Sequence, residues 1–231
     1  MPLSLDSRRI GDIAVVTCTG RLVDGAESIA LQQLLDQILQ FGSHVVLHVG
    51  ALQYIDSAGL GLLVRYNART RNQRGRLHLC APSPKLAAAL KATRLDQAFD
   101  SYDSEAAAVG AFYERSASDG GPSSLSASVL CVLESTDLQA YVREILGRNG
   151  YGVRTAGNIP DALVLLQVTR PKVVILSAEL AQARGTNAAE KFRRLADALP
   201  LVELPFDFSR RDPEEAGRLL LNHLHEFGIT A

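Results

Sequence analysis

The stretch Tyr54-Ile55-Asp56-Ser57-Ala58-Gly59-Leu60-Gly61 decides the fold, because an apolar run ends there in Asp-Ser and an apolar helical pattern starts at once. A strand that runs straight into a helix presents one hydroxyl, that of Ser57, at the helix start. Ala58, Gly59 and Gly61 keep its surroundings bare of side chains. Two readings follow. Asp56 or Ser57 caps the helix and does nothing more, since Asp and Ser are favoured caps. Alternatively Ser57 is covalently modified or touches another protein, with a helix start that favours a negative group.

Working outward, His44 to Val49 reads as the strand before this turn, and Ala26 to Phe41 as a helix with Ile29, Leu31, Leu34, Leu35, Ile38 and Leu39 at helical spacing. Ile10 to Thr19 is β-branched and strand-like, and Gly20 to Gly25 reads as a turn. After the serine, Leu60, Leu63 and Val64 mark an inner helical face, while Arg65, Arg69 and Arg71 gather where cations suit the helix dipole. Gly75 stops that helix. Leu77 to Ala81 is the next strand, Pro84 to Ala92 the next helix, and Ser104 caps a last helix to Arg115. Alternation of strands and helices predicts an α/β domain.

Residues 116 to 128, dominated by Ser, Gly and Ala, have the composition of a flexible linker. The predicted organisation is therefore a domain at 1–115, a linker at 116–128 and a second domain at 129–231. In the second, Val129 to Leu133 is a strand, Thr136 to Asn149 a helix, Gly150 to Thr155 a turn and strand, and Asn158 with Pro160 opens another helix. Arg170 to Ser177 leads into a third strand and Leu201 to Leu204 is a candidate fourth. Pro213 to Phe227 is a closing helix, with Asp212 as cap and Glu215 placed for a capping box.

Composition excludes several functions. The formal net charge of −1 and the interspersed signs give no pull toward nucleic acid or anionic lipid. The arginines from Arg65 to Arg76 have no interleaved aromatics beyond Tyr66 and read as a solvated helix end. No basic-then-apolar leader begins the chain, and no apolar run approaches the roughly 20 residues of a membrane helix, so a cytoplasmic location without a membrane span is expected. Cys18, Cys80 and Cys131 lie far apart in strand-like runs and read as reduced core residues. His44 and His48 share one strand face but lack a third ligand nearby, so they read as structural histidines at the sheet edge, with no metal expected. No cofactor is expected.

The order of elements, together with Gly20-Arg21-Leu22, Asp56-Ser57-Ala58-Gly59-Leu60-Gly61-Leu62-Leu63, Gly75-Arg76-Leu77-His78-Leu79, Ser83-Pro84-Lys85 and Thr93-Arg94-Leu95, resembles the STAS domain of bacterial anti-sigma factor antagonists from about Leu5 to Ala111. The resemblance implies a STAS-type sheet with covering helices. It also implies phosphorylation at Ser57 by an anti-sigma factor with serine kinase activity, removal of the phosphate by a phosphoserine phosphatase, and partner binding by the unmodified form alone. The implied contact surface is Asp24, Asp56, Ser57, Ala58, Gly59, Leu60 and Gly61. Val23 stands where the family has an acidic residue, with Asp24 one place later, and Ala58 replaces a second hydroxyl residue found in many relatives. A phosphate on Ser57 is expected to meet free backbone N–H groups at the helix start without destabilising the domain. Its charge of about −2 at a contact surface opposes binding.

The second half resembles the receiver domain of response regulators, a doubly wound α/β fold, here in shortened form. Receivers hold Mg²⁺ with a carboxylate pair after the first strand and take a phosphoryl group on an Asp ending the third. Those positions read Leu133-Glu134 and Ser177, and no Lys follows Lys191. A pseudo-receiver used for docking or homo-oligomerisation is expected. Taken together, the sequence predicts a non-enzymatic antagonist that works by partner switching. The rival reading is a STAS scaffold or regulatory subunit of a transporter or stress-signalling complex. A hydrolase is disfavoured, because no Gly-x-Ser-x-Gly elbow surrounds Ser57 and no His is placed as its base.

Overall fold

The computed structural model describes residues 1–42, 44–118, 129–182 and 185–229. Two compact units meet in sequence between Phe112 and Tyr113. Of the linker assigned from composition, Ser116 to Ser118 belong to the helix Glu105–Ser118, and positions 119–128 lie outside the described residues.

The first unit contains a five-stranded sheet of order β1-β2-β3-β4-β5, with β1 Ser4–Ile10, β2 Ile13–Leu22, β3 His44–Ile55, β4 Arg76–Cys80 and β5 Asp100–Tyr102. β1 and β2 form an antiparallel hairpin, and the remaining pairs are parallel. Helices α1 Ala26–Phe41, α2 Ser57–Asn72, α3 Pro84–Ala92 and α4 Glu105–Ser118 connect and cover them. One face packs Val45, Leu47, Val49, Leu77 and Leu79 against Leu31 and Leu35 of α1, Leu62, Leu63 and Tyr66 of α2, and Leu86 and Leu90 of α3. On the opposite face Val15, Val46 and His78 are buried as well, and burial on both faces is why these strands read as near-continuous apolar runs.

Three expectations need correction here. Gly20, Arg21 and Leu22 continue β2 instead of turning. Gly20 takes a φ of 100°, and an added Cβ would lie 2.1 Å from the Pro2 carbonyl oxygen, so the glycine admits the crossing amino-terminal segment. The inner face of α2 is wider than expected: Tyr66, Asn67 and Thr70 are buried with Leu62 and Leu63, and Leu60 and Val64 pack half-buried against the same core. His44 and His48 lie on the central strand β3, not at an edge, and the His44 ring sits 4.9 Å from that of Phe112 in α4.

The second unit is a four-stranded parallel sheet of order β7-β6-β8-β9, built from β6 Val129–Val132, β7 Val153–Ala156, β8 Val173–Ser177 and β9 Leu201–Leu204. Helices α5 Thr136–Arg148, α6 Ile159–Thr169, the short α7 Ala178–Ala181, α8 Asn187–Ala196 and α9 Pro213–Glu226 complete it. By chain order the strands run 2-1-3-4, the arrangement of flavodoxin-like doubly wound sheets without a fifth strand among the described residues. Its own core joins Val129, Cys131, Val173, Ile175 and Val202 to Val142, Leu146, Leu220 and Leu224. The capping box expected at α9 does not form. Asp212 accepts from the Glu214 N–H at 3.0 Å, and the Glu215 carboxylate faces Arg211 at 3.6 Å.

Candidate functional site

β3 and α2 meet at Asp56, and the geometry there settles which residue caps the helix. Asp56 has extended backbone and one carboxylate oxygen accepts from the Gly59 N–H at 2.8 Å. The other accepts from the Asp24 N–H at 2.9 Å, which ties the loop after β2 to the start of α2. Asp56 in turn donates its N–H to the Leu22 carbonyl at 3.2 Å and accepts from the Leu60 N–H at 3.0 Å. Hydrogen bonds from Gly59 first, and Asp24 second, hold the Asp56 carboxyl below the usual carboxylate range.

With the cap supplied by its neighbour, Ser57 is the first helical residue, exposed, and its hydroxyl makes no hydrogen bond with the described residues. Asp24 and Gly61 are likewise exposed, and Ala58 is half-buried. Gly59 and Leu60 differ in kind. A Cβ on Gly59 would stand 2.8 Å from both the Leu22 carbonyl oxygen and the Ile55 side chain, so this glycine seats α2 on the strands. Leu60 packs against the core. Gly61 has nothing within 4 Å of an added Cβ and faces open space. The expected contact surface therefore divides into Asp24, Ser57, Ala58 and Gly61 on the outside and Asp56, Gly59 and Leu60 as its supports.

The helix start is also less available to an anion than the sequence suggests. Gly59 and Leu60 already spend their N–H groups on Asp56, whose negative carboxylate adjoins Ser57. A phosphate on Ser57 finds fewer free donors and one like charge.

Sequence reading missed Tyr54, 56% exposed just before the turn, and Lys85 across from it on α3. An isolated aromatic at the end of an apolar strand carries no signal in sequence that separates it from core.

Other candidate chemistry is quiet. Burial pushes the Cys18 thiol up to about 12 and the Cys80 thiol, with Glu105 adding to the effect, up to about 11; burial also raises that of Cys131. All three are free, buried and ill-suited to act as nucleophiles. Burial lowers the His44 pKa. No cluster of three metal-ligating side chains occurs among the described residues. No helix among them is long and apolar enough to cross a membrane.

In the second unit, Glu134 and Ser177 come together at the carboxyl ends of β6 and β8, beside a hollow of about 120 Å³ that also touches Ser135, Glu179 and Leu204. Leu133 is fully buried in the core and faces no such opening. Ser177 caps α7, accepting from the Leu180 N–H at 3.4 Å.

Residues 4–108 match the family model of the STAS domain. Among solved structures the chain is similar to a putative anti-sigma factor antagonist from Thermotoga maritima, at 19% identity over 46% of this chain and 91% of that one, with a TM-score of 0.43. It is similar to an anti-sigma factor antagonist from Mycobacterium paratuberculosis, at 21% identity over 47% and 92%, TM-score 0.41. A third is the anti-sigma factor antagonist SpoIIAA of Bacillus in its unphosphorylated form, at 17% identity over 51% and 94%, TM-score 0.37. At these identities the likeness is remote. No curated protein matches the chain.

Proposed function

We propose that the STAS domain is a phosphorylation-switched antagonist of an anti-sigma factor, which it binds when Ser57 is unmodified and releases when Ser57 carries phosphate. The observation that carries this reading is the division of labour at the start of α2: Asp56 caps the helix, which leaves the neighbouring hydroxyl exposed on a bare surface. A phosphate there places about two negative charges beside Asp56 and on the face offered to the partner, where desolvation and like-charge contact oppose binding. The domain itself performs no catalysis, and the chemistry belongs to a partner kinase and a phosphoserine phosphatase. The second unit is read as a receiver-like module without phosphotransfer, supported by its 2-1-3-4 strand order and by Leu133, Glu134 and Ser177 at the positions such chemistry needs. Its work is docking or self-association in the cytoplasm.

The test uses a histidine-kinase-like ATPase recovered with the full chain by affinity pull-down. Incubation with ATP adds one phosphate at Ser57, and Ser57→Ala abolishes the addition while keeping the complex. Ser57→Asp weakens the complex at least tenfold, about 1.4 kcal/mol. Tight binding with no modification at Ser57, or equal affinity of the phosphorylated form, replaces the switch by the scaffold reading. In that reading Ser57 and Gly61 are contact residues of a transporter or stress-signalling complex.

A further inference from the structure

β3 is much longer than its neighbour on one side. β4 pairs with it only from His44 to His48, and beyond that point β3 continues through Ala51 to Ile55 on β2 alone. Among the described residues no backbone hydrogen bond joins Ala51 to Ile55 to any element other than β2. The carboxyl-terminal half of a central strand is thus an open edge. At Gly50 the end of β4 still lies close, since an added Cβ would stand 3.1 Å from the Ala81 carbonyl oxygen. The chain then leaves the sheet and returns as α3, whose Lys85, Leu86 and Ala89, with its cap Ser83, face Leu52, Gln53, Tyr54 and Ile55 across a hollow of about 220 Å³.

We propose that this groove between β3 and α3 takes an extended segment of another protein as an added strand, and that the segment carries apolar residues with an acidic one opposite Lys85. Three features select that occupant. A row of unpaired backbone donors and acceptors is complemented by another backbone, the mode by which peptides add to sheet edges. The hollow is below the roughly 300–1,000 Å³ of small-ligand pockets, yet it is apolar at Leu52, Leu86 and Ala89 and so accepts side chains. Lys85 is exposed at the rim and supplies the charge that an acidic residue meets. The groove ends two residues before Ser57, so a bound segment borders that serine, although its binding does not require phosphorylation there.

The test selects random nine-residue peptides on phage against the full chain. Enriched sequences alternate apolar residues, contain Asp or Glu and lack internal Pro. A synthetic peptide of the winning sequence slows amide exchange at Leu52 to Ile55. It loses at least tenfold in affinity when alternate residues are N-methylated, and again when Ala89→Trp fills the groove. Lys85→Glu, at an exposed position that leaves the fold intact, reverses the preference toward a peptide whose acid is replaced by Lys. The idea is overturned if no peptide enriches, if N-methylation and Lys85→Glu leave affinity unchanged, or if those amides of 52–55 that do not donate to β2 are already protected in the unliganded protein. A second copy pairing along the same edge would produce that last result and a dimer on sizing. No kinase or phosphate enters the assay, so its failure is separate from failure of the Ser57 switch.

Discussion

At the scale of single residues, the site works because two adjacent side chains have different tasks. Asp56 is fixed by bonds to Gly59 and Asp24, and its ionised form is favoured; Ser57 is left to the outside. Replacing Asp56 by Ala removes the cap and the tie to the loop after β2, and thermal unfolding should show a loss of about 1 kcal/mol, the usual value for such a cap. The pH dependence has a definite sign. A carboxyl whose folded pKa is depressed adds stability above its unfolded pKa of about 4 and loses that contribution as pH falls through the folded value. The stability difference between wild-type protein and Asp56→Asn should therefore be constant above about pH 4 and shrink as pH falls below it through the depressed folded pKa. Parallel curves across that window would show that the Asp56 charge does not contribute. Ser57→Asp tests the adjoining position. The helix dipole favours its charge and Asp56 opposes it, so its melting temperature should move little.

At the scale of elements, α2 uses its glycines for opposite purposes. Gly59 lets the helix start sit against Leu22 and Ile55, so Gly59→Ala must displace backbone and should destabilise by about 1–3 kcal/mol, as overpacking does. Gly61 is exposed within the helix, and Gly61→Ala should stabilise by up to about 1 kcal/mol through helix propensity alone. If Gly61→Ala is more stable but binds the Ser57 partner more weakly, bareness at that position serves contact; if binding is unchanged, Gly61 lies outside the interface. The sequence contained the turn from β3 to α2 in full, since an apolar run, Asp-Ser and an apolar helix are local signals. It did not contain β1. Ser4 to Ile10 alternates weakly and buries only Ile10, because an edge strand has little to hide. Gly20 reads as a turn residue, yet its positive φ serves a crossing segment that only the three-dimensional structure reveals. The open edge of β3 was equally hidden, because it depends on where β4 stops.

At the scale of the whole molecule, two units with separate apolar cores divide the chain, and they differ in what their sheet ends offer. The end of the first sheet presents an exposed hydroxyl, and the second sheet presents a hollow flanked by Glu134, Glu179 and Ser177. A hard divalent cation asks for about six oxygen ligands, several of them charged. On the receiver-like reading proposed above, the position of a metal-binding carboxylate is taken by Leu133, fully buried, and that of the phosphoryl acceptor by a serine whose oxygen caps α7. Full-length protein should therefore show no saturable Mg²⁺ binding by calorimetry in the millimolar range. It should also gain no acid-stable or acyl phosphate in the second unit from acetyl phosphate. Two-dimensional NMR spectra should retain the amide positions of residues 133–135 and 177–180 when either reagent is added. A Mg²⁺-dependent shift confined to those amides, or phosphate mapped to Glu134 or Asp137, would restore phosphotransfer chemistry to this unit and remove the physical ground for treating it as a docking module.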